Sequence, residues 1–115
     1  MVGIDLTEIA RIERAASSER FCRRVFTDAE RRYCEDTGGR AETLAGMFAA
    51  KEAAAKALGT GFSGFSLRDI EVLHDKNGKP RLAVYRGAAA LLNGRRIEVS
   101  ITHTGGLAAA VCLIV

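Results

Sequence analysis

The apolar opening over residues 2–6 predicts a short strand, and residues 7–14 a helical turn or short helix behind it. Thr27 and Glu30 have the spacing of a capping box, which starts a helix running through residues 31–34, and Thr37-Gly38-Gly39 breaks it. The longest predicted helix covers residues 41–58. It is crowded with alanine, a strong helix former, and Gly59 follows as the stop. At about 100° per residue, Leu44, Met47, Phe48, Ala55 and Leu58 gather on one side of it. After Glu42 its only charges are Lys51, Glu52 and Lys56, so the helix reads as enclosed, and charges kept in such a place need a reason. A glycine-rich loop follows over residues 59–64. Residues 70–74 and 79–85 then read as a hairpin turned at Asn77-Gly78, residues 86–92 as a short helix, and residues 96–102 and 107–115 as two strands around Gly105-Gly106. Helices early and hairpins late predict an α+β fold, with one long helix packed on a mainly antiparallel sheet in a single domain spanning residues 1–115.

Composition narrows the class. No apolar run reaches the roughly 18 residues a membrane helix needs, so no membrane partner is expected. The opening carries acids and lacks the basic-then-apolar order of a signal peptide, which points to the cytoplasm. Cys22, Cys34 and Cys112 are scattered and odd in number, the mark of a reducing compartment rather than a disulfide framework. The formal charge of +3 is mild for a nucleic-acid binder, and the chain has no tryptophan to stack bases. A non-catalytic nucleic-acid module is therefore the distant alternative, and no nucleic acid is expected as partner. Seven arginines nevertheless fall between Arg11 and Arg32, as a solvated helix face or as a surface for an anionic partner.

Few residues could carry chemistry. Asp5, just past the strand start, suits either a helix N-cap or a hard cation such as Mg²⁺. Glu52, on the enclosed helix, is the natural second carboxylate. Lys56 stands one turn beyond it, as an ordinary i,i+4 partner or as a phosphate contact. Lys51 lies near the apolar face, where it could snorkel. His103 ends the row Ile97, Val99, Ile101 and His103, with Ser100, Thr102 and Thr104 on the other face. It is either a core-edge residue or a donor to phosphate.

Gly3-Ile4-Asp5-Leu6, Phe26-Thr27-Asp28-Ala29-Glu30, Phe48-Ala49-Ala50-Lys51-Glu52-Ala53, Lys56-Ala57-Leu58-Gly59-Thr60-Gly61, Asn77-Gly78-Lys79-Pro80 and Val99-Ser100-Ile101-Thr102-His103-Thr104, in that order, resemble the small bacterial holo-[acyl-carrier-protein] synthases over nearly the whole chain. The G-I-D and K-E-x-x-x-K elements are those of the wider phosphopantetheinyl transferase superfamily. The resemblance implies Mg²⁺-dependent transfer of 4′-phosphopantetheine from coenzyme A to a serine of apo-acyl carrier protein in fatty acid biosynthesis. The alternative is the same chemistry on a dedicated polyketide or peptide-synthase carrier.

The resemblance also implies residue roles. Asp5 and Glu52 hold the metal, and Lys56 contacts the coenzyme A phosphates and assists transfer. Gly59, Thr60, Gly61, His103 and Thr104 bind the cofactor. Arg11 faces the acidic carrier; the concentration of arginine in the N-terminal third, rather than the resemblance, adds Arg14, Arg23 and Arg24 to that basic surface. The assembly implied is a homotrimer with interfacial sites, His103 coming from a neighbour of the chain that supplies Asp5 and Glu52. Two positions depart from relatives. Thr7 stands where two-domain members place a third acid, and Met47 stands where a basic residue is usual, its contact absent or supplied by Arg40 or Lys51.

Overall fold

The computed structural model describes residues 1–61 and 63–115; Phe62, inside the glycine-rich loop, lies outside the described residues. Strand β1 (Val2–Glu8) leads through helix α1 (Ile9–Ala15), α2 (Glu19–Val25) and α3 (Asp28–Asp36) to the long α4 (Ala41–Leu58). A 3₁₀ turn, Leu67–Asp69, opens the hairpin of β2 (Ile70–His74) and β3 (Pro80–Val84). Helix α5 (Arg86–Leu92) then precedes β4 (Ile97–Thr104) and β5 (Leu107–Ile114). Strands β1, β5 and β4 form one antiparallel sheet in the order β1-β5-β4, and β2 and β3 form a second sheet. The expected α+β architecture is present, with α4 lying across the three-stranded sheet.

Three expectations about local structure change. Residues 7–14 are not all helical: Thr7 and Glu8 stay in β1, paired with Ala108 and Leu107, and the helix starts at Ile9. The β5 ladder outcompetes the early helix start. Helix α2 is additional to the elements the pattern predicts; its N-cap is Ser18, whose hydroxyl accepts from the Phe21 amide at 3.2 Å. The second hairpin strand is shorter than residues 79–85, running from Pro80 to Val84, so the ladder closes at His74 and Pro80. Asp75 Oδ1 accepts from the Asn77 and Lys79 amides and organises the loop between them.

Helix α4 is enclosed more completely than one apolar side would allow. Between Ala45 and Leu58, only Glu52 and Lys56 escape burial. Small residues make this enclosure feasible, because backbones can approach where side chains are short. Gly3 is the extreme case: a Cβ there would run into the Ala53 carbonyl oxygen and lie 2.6 Å from the Ala57 amide nitrogen. A Cβ on Gly46 would stand 3.0 Å from Ile101 Cγ2 on the far strand of the sheet.

Lys51 does not snorkel. Its ammonium is sealed, 2.7 Å from Glu30 Oε1, and it donates to the Ile70 carbonyl at 2.7 Å and the Leu67 carbonyl at 3.0 Å. Glu30 closes the predicted capping box by accepting from the Thr27 amide at 2.9 Å, and its other oxygen accepts from the Val72 amide at 2.7 Å. Burial pushes the Glu30 carboxyl up and the Lys51 ammonium down from their ordinary values, and each partner's charge opposes that drift in the other. One ion pair thus ties α3, α4 and β2 together.

Removing one partner of a satisfied buried pair strands a charge, which costs about 3–5 kcal/mol. Lys51→Met should lose stability of that order in denaturant unfolding. Adding Glu30→Gln should recover part of it, because the uncompensated charge goes while an acceptor remains. A loss below about 1 kcal/mol for Lys51→Met would show that the pair is not the clasp described.

Candidate active site

The carboxylate of Asp5 projects from the middle of β1, on the face turned toward α4, opposite Ala110 of β5. It is not at a strand end and caps no helix; Glu8 occupies the N-cap of α1. The close approach at Gly3 brings β1 onto the last turns of α4, where Glu52 and Lys56 open to solvent. Lys56 does not make the ordinary i,i+4 pair with Glu52. Its Nζ donates to the Ile4 carbonyl at 2.9 Å and pairs with Asp5 Oδ1 at 3.3 Å. Thr7 Oγ1 donates to Asp5 Oδ2 at 2.6 Å.

Glu52 completes the group. Burial first, and the negative charge of Asp5 second, push its carboxyl above the ordinary value, while Lys56 and Arg11 pull it back. The Arg11 guanidinium lies 5.6 Å from the centroid of the Phe48 ring. Two half-desolvated carboxylates that repel one another, both hard oxygen donors, fit a divalent cation such as Mg²⁺. Among the described residues, no group of three or more His, Cys, Asp or Glu forms a closed metal cage. Thr7 adds no third acid, so a metal held here would keep positions open to water or substrate oxygen.

The remaining candidates fall in three places. Gly59 ends α4 in the left-handed region (φ 87°), its amide donating to the Lys56 carbonyl, so Gly59, Thr60 and Gly61 lie just beyond Lys56 and are exposed. His103 lies on β4, two strands from Asp5 across β5, and is exposed rather than part of the core edge. It lines a separate cleft of ≈ 540 Å³ with Tyr33, Arg40, Met47 and His74, and neither Asp5, Glu52 nor Lys56 reaches it. Thr104 follows on the opposite face of the strand. Within one chain, then, the carboxylate cluster and the histidine cleft are distinct.

That cleft contains two residues the sequence did not single out. The rings of Tyr33 and His74 stack with centroids 3.8 Å apart, and His74 Nδ1 is buried without a hydrogen-bond partner among the described residues. Burial holds the His74 imidazole below its ordinary value, favouring its neutral form. Of the two replacements considered for a basic residue at Met47, Arg40 lines the cleft beside Met47, whereas Lys51 is sealed against Glu30 and cannot serve.

The arginine surface divides as well. Arg14 is exposed in the last turn of α1. Arg24 borders an apolar groove formed by Phe21, Val25, Phe48 and Leu67. Arg23 is engaged in an exposed pair with Glu19 at 3.6 Å, the kind that adds little stability.

A profile of the 4′-phosphopantetheinyl transferase superfamily matches residues 1–112. The holo-[acyl-carrier-protein] synthase of Fusobacterium nucleatum is 42% identical, over 98% of this chain and 96% of its own. The structure of Helicobacter pylori holo-[acyl-carrier-protein] synthase in complex with coenzyme A superposes with a TM-score of 0.87 at 31% identity, covering 100% of both chains. That of the Bacillus anthracis synthase, in complex with coenzyme A (3′,5′-ADP), does so with a TM-score of 0.83 at 35% identity, covering 98% of this chain and 93% of that one. With its G-I-D strand, its K-E-x-x-x-K helix and this agreement along its length, the chain belongs to the 4′-phosphopantetheinyl transferase superfamily, among the holo-[acyl-carrier-protein] synthases.

Proposed function

We propose that this chain, acting as one domain over residues 1–115, transfers 4′-phosphopantetheine from coenzyme A to a serine of apo-acyl carrier protein for fatty acid biosynthesis, releasing 3′,5′-ADP. The observation that carries the reading is the convergence of Asp5, Glu52 and Lys56 in a member of this family. The carrier serine oxygen attacks the β-phosphorus, and the bond to the oxygen bridging the two phosphates breaks. Asp5 and Glu52 would hold Mg²⁺, which would supply positive charge against the pyrophosphate. Lys56 is exposed, and its ammonium would exchange its contacts with the Ile4 carbonyl and Asp5 for a phosphate oxygen. Gly59, Thr60 and Gly61, one turn further, leave backbone open for the substrate to approach. Positioning and charge neutralisation supply the acceleration in phosphoryl-type transfers.

Assembly follows from the sheet. Val2, Ile4, Leu6, Leu107, Val111 and Leu113 share the face turned away from α4, and Ile4 and Leu6 are 67% and 65% exposed. A small domain has every reason to cover such a patch. A homotrimer would bury it and bring the His103 cleft of one chain, which would take the nucleotide end of coenzyme A, to the carboxylates of the next.

Mass spectrometry of apo-carrier mixed with the protein, coenzyme A and Mg²⁺ should show addition of one 4′-phosphopantetheine group. An unmodified carrier would refute the reading, and running polyketide or peptide-synthase carriers alongside decides the preferred partner. Asp5→Ala and Glu52→Ala should each nearly abolish transfer while remaining folded, and EDTA should stop it until Mg²⁺ is restored. Full turnover by folded Glu52→Ala would sink the metal assignment.

Mixing inactive His103→Ala and Glu52→Ala chains at equal amounts should restore roughly a quarter of wild-type activity, since each mixed cyclic trimer keeps one intact interface. No recovery despite proven subunit exchange would place both residues in one chain's site.

Arg14→Glu should raise the apparent KM for the acidic carrier several-fold, leave that for coenzyme A unchanged, and lose its effect as salt rises. An unchanged carrier KM in steady-state kinetics would exclude Arg14 from the docking surface.

A further inference from the structure

Asp5 is held at both carboxylate oxygens, but the two contacts differ in kind. Lys56, on Oδ1, has a half-exposed flexible side chain that the proposed reaction turns toward phosphate. Thr7, on Oδ2, is 2% exposed and sits two residues along the same strand and face, paired with Ala108 of β5. Its backbone is fixed by the ladder, and its β-branched side chain has little rotational freedom. Among the described residues, the hydroxyl makes no hydrogen bond other than the one to Asp5. Valine would fill the same space and suit a strand as well. What the hydroxyl adds is direction.

We propose that Thr7 is a positioning residue for Asp5: its buried hydroxyl, 2.6 Å from Oδ2, fixes the rotation of the carboxylate so that Oδ1 stays on the side of Lys56. The inference rests on reading Asp5 and Glu52 as metal-binding carboxylates. Groups that hydrogen-bond a ligating side chain set its orientation, and losing one costs roughly 10–100-fold in metal affinity or activity. Thr7 thus acts at the position where a third acid would add charge, and it does so by aiming the first.

The test titrates Mn²⁺, as a hard divalent probe, into wild-type, Thr7→Val, Thr7→Ser and Asp5→Asn proteins with saturating coenzyme A and no carrier. Free ion is read by electron paramagnetic resonance. Thr7→Val should bind about 10-fold more weakly with no fall in Tm, and Thr7→Ser should stay close to wild type. In turnover, Thr7→Val should need more Mg²⁺ for half-maximal rate while the KM for the carrier is unchanged. Wild-type Mn²⁺ affinity in Thr7→Val overturns the inference. Equal weakening in Thr7→Ser overturns it too, since shape rather than the hydroxyl would then set affinity. Should Thr7→Val not fold, Thr7→Ala takes its place with the same expected and overturning results. The Asp5→Asn protein separates the two levels. If it binds Mn²⁺ like wild type, the metal reading fails; if it loses the ion while Thr7→Val keeps it, only the role of Thr7 fails.

Discussion

The absence of a side chain at Gly3 is the constraint on which the rest of the molecule depends. It lets the backbone of β1 lie directly on the backbone of α4 at Ala53 and Ala57. Any Cβ at that point would force strand and helix apart. Two residues along the strand, that same approach delivers Asp5 to the ammonium of Lys56 and into the field of Glu52. The alanines of α4 play the same part along the rest of the helix, trading side-chain bulk for proximity to the sheet. The site is made of strand and helix rather than loop because only such elements can be pressed this close with a fixed register.

Helix α4 carries charge in two different ways, and the contrast explains why Lys51 and Glu52, neighbours in sequence, have unrelated fates. Consecutive residues project about 100° apart on a helix, so one turns into the core and the other toward the rim. Lys51 meets Glu30 and two carbonyls, and every one of its donors is satisfied without water. Glu52 has no cation within ion-pair distance among the described residues, and burial first, then the charge of Asp5, leaves its carboxyl raised. The first arrangement is complete and therefore structural. The second is incomplete and therefore available to a ligand.

The long helix was legible from the sequence to the residue at both ends, because alanine density and a terminal glycine act locally. The Thr27–Glu30 capping box was legible for the same reason: both partners lie within one turn. What stayed hidden involves contacts between distant segments. Nothing near Lys51 announces Glu30, and nothing near Tyr33 announces His74, since each pair is joined only by the fold. Thr7 and Glu8 suit a helix start as well as a strand, and the ladder to Ala108 and Leu107 decides between them. Helix α2 is short, rich in arginine and buries only Cys22 and Val25, too few positions to show a period. Taken singly, Asp5, Glu52 and Lys56 are ambiguous in the sequence. Order along the chain identified them as a set, and geometry then showed that Lys56 answers to Asp5 rather than to Glu52.

Strand alternation links the chemistry to assembly. On β1, Gly3, Asp5 and Thr7 face the helix, while Val2, Ile4 and Leu6 face out. The strand that builds the carboxylate cluster therefore also builds the apolar face, and neither set can shift without the other, because a one-residue slip would exchange them. The third strand alternates too, but with a polar outer face: Ile101 and His103 face the helix side, Ser100, Thr102 and Thr104 the outer side. A chain that leaves its carboxylates and its histidine cleft apart, and exposes an apolar face on β1 and β5, suits the proposed trimer, in which a neighbour would complete the site. In the proposed trimer, covering the sheet and assembling the reacting groups are the same event, so subunit dissociation would remove activity before it unfolded the chain.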